Sequence, residues 1–175
     1  VPFHSRLLEA GVGSFRAELE KALPKTVDPQ RLIGRYIPNL TATPFRLDEA
    51  YVREILEVVD SLPLRDVLSN WEMWAGEPSR LARCMLVELL AWQFASPVRW
   101  IETQDQLFTP VGMGGVGAQQ VVEIGLGEQP TVSNMAKYTL RLMGGMAPVV
   151  RILNAESDRV VLLGQESVEI PRDDE

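Results

Sequence analysis

The sequence predicts an α/β fold that is rich in helices. Apolar residues recur at the three- and four-residue spacing of amphipathic helices along most of the first 143 residues. Short runs rich in β-branched residues lie between some of these segments, and helices interleaved with isolated strands are typical of layered α/β architectures. Two or three strands are too few for the sheet of an independent α/β domain, so we expect part of the domain to precede Val1.

The first predicted helix runs over residues 5–23. Ser5 can cap its start, and Pro24 ends it because proline cannot continue a helix. Gly11 and Gly13 favour a break or kink in its first half, since glycine is a poor helix former. The apolar residues that share one face of this helix are Leu8, Val12, Phe15, Leu19 and Ala22.

The next segments predict one strand and three helices. Residues 32–41 predict a strand, Asp48 can cap a second helix, and residues 63–74 predict a shorter helical piece. The most apolar helix is predicted over residues 81–94, with Pro97 as its stop. Because it is hydrophobic nearly all round, we expect it to be buried between layers.

The last part of the chain changes in character. After a short helix over residues 101–108, residues 110–117 predict a glycine-rich loop and residues 120–124 a strand. A helix is predicted over residues 131–143. Two apolar runs around a polar turn, residues 149–153 and 159–163, predict a hairpin, and a solvated acidic tail follows.

The composition argues against several kinds of partner. The net charge is −7, with 17 basic and 24 acidic residues and no basic stripe, so we expect no nucleic-acid partner. Glu88 interrupts the best apolar run, which is shorter than the roughly 18 residues of a membrane-spanning helix. A single cysteine, Cys84, and a single histidine, His4, allow no internal disulfide and no Cys/His zinc site. We therefore expect a cytoplasmic segment without metal, cofactor or membrane contact.

Two glycine patterns resemble nucleotide-binding loops and are rejected. Residues 112–117 match G-x-G-x-x-G, but they precede a predicted strand, whereas a dinucleotide fingerprint follows one. The pair Gly125 and Gly127 follows a strand, yet Pro130 lies where the third glycine belongs and no acidic residue lies about 20 positions further on.

His4 is the candidate catalytic residue. A lone histidine is more often structural, but His4 lies on a loop just before a helix, and imidazole can move a proton near neutral pH. No serine lies in a G-x-S-x-G elbow, Ser5 serves better as a helix cap, and Cys84 lies in the buried helix. We therefore expect the nucleophile to lie outside this chain.

Three segments together resemble the malonyl and acyl transferases. The first is Pro2–Ser5, which resembles their P-F-H-S element. Residues 93–103 resemble the Q-x-x-x-P-V-x-W segment, and residues 121–125 resemble the closing strand. Residues 34–42 and 89–97 are similar to the malonyl/palmitoyl transferase domain of fungal and actinobacterial type I fatty acid synthases.

This resemblance implies the C-terminal, helix-rich part of the large α/β-hydrolase-like subdomain, over residues 1–145. Residues 146–175 would then form a short hairpin and an acidic linker toward the acyl carrier domain. In fungi the corresponding region is divided between two subunits near residues 76–81, whereas this chain continues through it as in the actinobacterial arrangement.

The resemblance also implies a reaction and its participants. Malonyl-CoA or acyl-CoA and the phosphopantetheinyl carrier protein would be substrates, and an upstream serine elbow would form the acyl-enzyme. His4 would be the general base, and the main-chain carbonyl of Gln93 would orient it. The chain would lie in a large homo-oligomeric synthase and be inactive alone. The alternative is a structural or assembly module without chemistry.

Overall fold

The computed structural model describes residues 3–125, 131–144 and 147–162. The chain divides into two units, Val1–Thr103 and Gln104–Glu175. The boundary between these units lies between residues 103 and 104. The predicted division into residues 1–145 and 146–175 stays a prediction.

The first unit is helical among its described residues. Its first segment changes from a 3-10 helix to an α-helix after Gly11, which confirms the predicted break. The elements in order are a 3-10 helix Arg6–Gly11, α1 Val12–Ala22, a 3-10 helix Pro29–Arg31, α2 Glu49–Val58, α3 Leu62–Ser69, α4 Trp71–Ala75 and α5 Pro78–Gln93, followed by α6 Trp100–Phe108, which continues past residue 103.

Helix α5 is the central element of the first unit. It packs against α1, α3 and α4, and eight of its 16 residues are buried. This confirms the predicted burial of the most apolar helix. The apolar core around it includes Leu40, Phe45, Tyr51, Ile55, Leu64, Leu81, Met85 and Leu89.

Two α-helices of the first unit, α2 and α3, begin at side-chain caps. The Asp48 carboxylate accepts a hydrogen bond of 2.7 Å from the amide of Tyr51, which confirms the predicted cap of α2. The Ser61 hydroxyl accepts one of 3.2 Å from the amide of Leu64 at the start of α3. Each cap satisfies an amide that has no partner within its helix.

The predicted strand over residues 32–41 is wrong. These residues form turns after the second 3-10 helix, and Gly34 and Ala42 have left-handed φ angles of 68° and 56°. Only a short pairing remains, in which the amide of Phe45 donates to the Tyr36 carbonyl at 2.7 Å. Left-handed residues reverse the chain and cannot continue an extended strand.

The second unit contains a parallel βαβ arrangement. Its elements are β1 Gln120–Glu123, α7 Thr131–Met143, β2 Arg151–Asn154 and α8 Arg159–Leu162. The strands pair in parallel, with Gln120 opposite Arg151 and Glu123 opposite Asn154. Parallel strands need a crossover connection, and α7 lies between them in sequence. The strand predicted over residues 120–124 is confirmed, and the α/β class agrees with this unit.

The predicted hairpin of residues 149–153 with 159–163 is wrong. The first run pairs with β1, and Arg159–Leu162 is helical. The cause lies at the end of β2, where the Asn154 amide donates to the Asp158 carboxylate at 2.7 Å and the Asn154 side chain accepts from the Glu156 amide at 2.9 Å. These bonds favour a turn that leads into a helix. The acidic tail lies outside the described residues.

The glycine-rich loop of the second unit has a purely geometric explanation. A Cβ atom on Gly115 would lie 2.1 Å from the Thr109 carbonyl oxygen, and Gly114 has a left-handed φ of 88°. Glycine is therefore required at position 115 by the close approach of the Thr109 backbone, and it is favoured at position 114 by the left-handed turn.

The Glu123 carboxylate joins β1 to the start of α7. Its two oxygens accept hydrogen bonds of 2.9 Å from the amides of Val132 and Ser133. Hydrogen bonding to Ser133 is the main cause that lowers the pKa of Glu123 to about 2. Hydrogen bonds from the amide of Val132 and the side chain of Asn154 lower it further. The carboxylate thus satisfies amides at a positive helix end.

We expect Glu123→Gln to destabilise the second unit by about 1 kcal/mol at pH 7, because a charge at a helix N-terminus is lost. A carboxylate with a lowered pKa stabilises the folded state above its ordinary pKa of 4.5 and loses this effect as the pH falls through about 2. The difference between the variant and the parent chain should therefore shrink over that range. Amide hydrogen exchange in α7 measures it, with Glu156→Gln, an exposed carboxylate of the same unit, as the control. A pH-independent difference would contradict the assignment.

Candidate active site around His4

His4 lies on the exposed loop that precedes the first 3-10 helix. Its φ angle is 60°, in the left-handed region that few residues other than glycine occupy. Such a conformation persists only where surrounding contacts hold it, and it is enriched at functional sites.

Two hydrogen bonds hold His4 against the C-terminal end of α5. Its ring Nδ1 lies 2.9 Å from the carbonyl oxygen of Gln93, and its main-chain amide donates to the carbonyl of Phe94 at 2.7 Å. The last carbonyls of a helix have no partner within the helix, so they are available to accept these bonds. Because a carbonyl only accepts, Nδ1 carries the proton, and the Nε2 lone pair of the neutral ring can accept another.

The helices that carry this site are joined by a buried charged network. Glu88 of α5 is 1% exposed and forms an ion pair with Arg16 of α1, with Nη2 2.8 Å from Oε2. The Ser61 hydroxyl, at the cap of α3, donates to the same carboxylate at 2.7 Å. The Glu88 hydrogen bond is the main cause that raises the pKa of Arg16.

The structure also locates the other residues that the sequence analysis weighed. Burial, and then the neighbouring Glu88, raise the pKa of the Cys84 thiol to about 12, so this thiol is protonated and a poor nucleophile. Ser14 is exposed on α1. Ser5 occupies the N-cap position of the first 3-10 helix, but its side chain makes no capping hydrogen bond there, so the predicted side-chain cap is wrong. Of the predicted site residues, the fold brings together His4 and the Gln93 main chain, which are 89 residues apart in sequence.

Sequence reasoning missed two parts of this region. The bond from the His4 amide to Phe94 has no signal in a single sequence, because it depends on backbone atoms alone. The Arg16–Glu88 pair did have a signal, since a glutamate inside an otherwise apolar helix indicates a buried charge that needs a partner.

Neither a metal cluster nor a membrane-spanning helix is found in the part of the chain that the structure describes. An exposed imidazole that is oriented through one ring nitrogen is the arrangement used by general acid–base catalysts. The described fold is of the α/β class, and the His4 site has the geometry of a candidate acid–base group.

The chain is similar in sequence to fungal fatty acid synthases. It is 43% identical over 141 residues to fatty acid synthase 2 of Mycosarcoma maydis, which covers 80% of the chain and 4% of that protein. It is 49% identical over 73 residues to the fatty acid synthase beta subunit aflB of Emericella nidulans, over 41% of the chain and 4% of that protein. It is 56% identical over 62 residues to fatty acid synthase subunit alpha of Schizosaccharomyces pombe, over 35% of the chain and 3% of that protein. No family model matches the chain.

The chain therefore belongs to the fatty acid synthases. It spans only 3–4% of the length of these relatives. The Mycosarcoma match spans 141 residues, whereas the matches to the Emericella beta subunit and the Schizosaccharomyces alpha subunit span 73 and 62 residues.

Proposed function

We propose that the chain is the histidine-bearing part of a fatty acid synthase transferase, which moves malonyl and long-chain acyl groups between CoA and the acyl carrier protein. The observation that carries this proposal is the exposed His4 imidazole, held through Nδ1 by the main-chain carbonyl of Gln93. Similarity to fatty acid synthases over 80% of the chain supports the class of reaction.

In the proposed first half-reaction, His4 acts as the general base for a serine outside residues 1–175. The Nε2 atom takes the serine hydroxyl proton while the serine oxygen attacks the carbonyl carbon of the acyl-CoA thioester. The tetrahedral adduct then breaks its carbon–sulfur bond, and the departing CoA sulfur takes the proton from His4. The products are an acyl-serine, free CoA and a neutral imidazole.

The second half-reaction repeats these steps with a different thiol. His4 takes the proton of the carrier protein's phosphopantetheine thiol as the sulfur attacks the acyl-serine. Collapse of the adduct releases the serine oxygen, which recovers the proton from His4. The same steps run in reverse unload a long acyl chain onto CoA.

The end of α5 contributes orientation and charge to these steps. The Gln93 carbonyl fixes the tautomer that presents the Nε2 lone pair, as the third member of a catalytic triad does. A helix C-terminus also carries partial negative charge, which stabilises the imidazolium formed in each half-reaction. Because the acceptor is a main-chain atom, the Gln93 side chain has no part in this bond.

The proposal assigns the remaining participants to the whole synthase. The serine elbow belongs to the upstream part of the same domain, the carrier protein is the acyl acceptor, and this segment binds no cofactor of its own. Residues 1–145 would belong to the transferase and residues 146–175 to a linker in a large cytoplasmic homo-oligomer.

Comparison of the 175-residue chain with a polypeptide extended at its N-terminus tests the proposal. We expect the chain alone to transfer no radiolabelled malonyl group from malonyl-CoA to carrier protein, because it lacks the nucleophile. The extended polypeptide should form a malonyl-enzyme that is stable to acid and should then load the carrier. Transfer by the chain alone, or an extended polypeptide that folds but never becomes labelled, would contradict the proposal. The second result would favour a structural or assembly module.

A further inference from the structure

We propose that Phe94 is a positioning residue for His4. Its ring, which packs against Phe15 and Gly11, fixes the backbone at the end of α5 and thereby fixes both carbonyls that hold the histidine. This inference rests on the proposed function for its catalytic meaning, but its structural part can be tested on His4 alone.

The two carbonyls that hold His4 lie on either side of one Cα atom. The Gln93 carbonyl belongs to the peptide before the Phe94 Cα, and the Phe94 carbonyl belongs to the peptide after it. The φ and ψ angles of Phe94, −77° and −19°, therefore set the directions of both acceptors. A side chain that restrains this residue restrains the imidazole and the main-chain amide of His4 together.

The ring of Phe94 is restrained by the segment that follows His4 in sequence. It forms an edge-to-face pair with Phe15 of α1, with ring centroids 5.3 Å apart and an interplanar angle of 84°. Gly11 approaches the same ring so closely that a Cβ atom there would lie 3.2 Å from Cζ. Residues 4–15 thus contact both the backbone and the side chain at the end of α5.

General burial is a weak explanation for this contact. Phe94 is only partly buried, and Phe15 is 38% exposed, whereas Phe45 in the core is fully buried. Phe94 therefore buries less apolar surface than a core aromatic residue, while the polar atoms of its backbone hold a histidine in a left-handed conformation. Edge-to-face pairs contribute about 0.5–1.5 kcal/mol beyond burial and favour one ring orientation.

Gly11 and Gly13 provide a matched pair of variants. A Cβ atom on Gly13 would meet no atom within 4 Å, whereas one on Gly11 would press on the Phe94 ring. Both positions lie at the start of α1, Gly11 as its N-cap and Gly13 in its first turn. Gly11→Ala and Gly13→Ala therefore make the same chemical change, and only the first disturbs Phe94.

The imidazole of His4 reports the result directly. The chain has a single histidine, so a long-range proton–nitrogen correlation spectrum of the labelled chain contains one imidazole, whose nitrogen shifts reveal the tautomer. We expect the parent chain and Gly13→Ala to show Nδ1–H as the main form. We expect Gly11→Ala to shift the imidazole resonances toward an average of the two tautomers.

A second pair of variants keeps the inference testable if Gly11→Ala does not fold. Phe94→Leu should shift the imidazole resonances in the same direction, and Phe45→Leu, the same change in the core, should leave them unchanged. Parent-like imidazole resonances in folded Gly11→Ala and Phe94→Leu would overturn the inference.

Transfer assays in the extended polypeptide separate this inference from the proposed function. If positioning serves catalysis, Gly11→Ala should lower kcat about tenfold with little change in KM, and Gly13→Ala should not. Shifted imidazole resonances with an unchanged rate would count against the catalytic role of His4. A parent-like imidazole in Gly11→Ala, together with loss of transfer in His4→Ala, would overturn the positioning inference alone.

Discussion

His4→Ala in the N-terminally extended polypeptide is expected to lower malonyl transfer by about 10²–10⁴-fold, the typical loss when a general base is removed. Without the imidazole, no group is placed to take the proton of the attacking serine or thiol. Steady-state transfer of radiolabelled malonyl groups to the carrier protein measures the effect. His4→Gln should be as inactive, because an amide side chain cannot act as a base near neutral pH.

The control for this prediction is Lys21→Ala. Lys21 is exposed on α1 and pairs only with Glu18 among the ion pairs found, so its removal should leave the rate unchanged. A near-normal rate in folded His4→Ala would contradict the assignment of His4 as the base. If the variant instead lost stability or oligomeric order without loss of turnover, the structural-module alternative would be favoured.

Arg16→Ala is expected to destabilise the first unit by about 3 kcal/mol, because it leaves the Glu88 carboxylate buried without its counter-ion. Ser61 would remain as a hydrogen-bond donor but supplies no positive charge. Urea unfolding followed by tryptophan fluorescence measures the loss, since Trp71, Trp74 and Trp92 all lie in this unit.

Arg53 is the control for Arg16, because both arginines form an ion pair with a glutamate but only the glutamate partner of Arg16 is buried. Arg53 pairs with Glu49 on the exposed surface of α2, and Arg53→Ala should cost at most about 0.5 kcal/mol. The double variant Arg16→Met/Glu88→Leu should recover much of the stability lost in Arg16→Ala, because no unpaired charge remains buried. Equal effects of Arg16→Ala and Arg53→Ala would show that the buried pair has no special importance.

Local signals in the sequence predicted most of the helices. Asp48 was identified as a cap, Gly11 as a break and the 81–94 segment as a buried helix, and all three agree with the structure. These features depend on neighbours within a few residues, so one sequence contains the necessary information. The failures came where the pattern was short. A run of four to eight apolar residues does not specify its partner, and the run before Asn154 paired with β1 instead of forming a hairpin.

The sequence by itself determined the helical period, the Asp48 cap and the loop position of His4. The resemblance of residues 2–5 and 93–103 to acyl transferases named His4 and the Gln93 carbonyl as partners, and their catalytic roles remain predictions. Only the tertiary structure revealed the second bond that holds His4, because the His4 amide and the Phe94 carbonyl are main-chain atoms about 90 residues apart and their contact leaves no mark on residue type. The sequence likewise did not identify Arg16 as the partner of Glu88. A glutamate inside an apolar helix indicates that a partner is needed, but it does not indicate which residue supplies it.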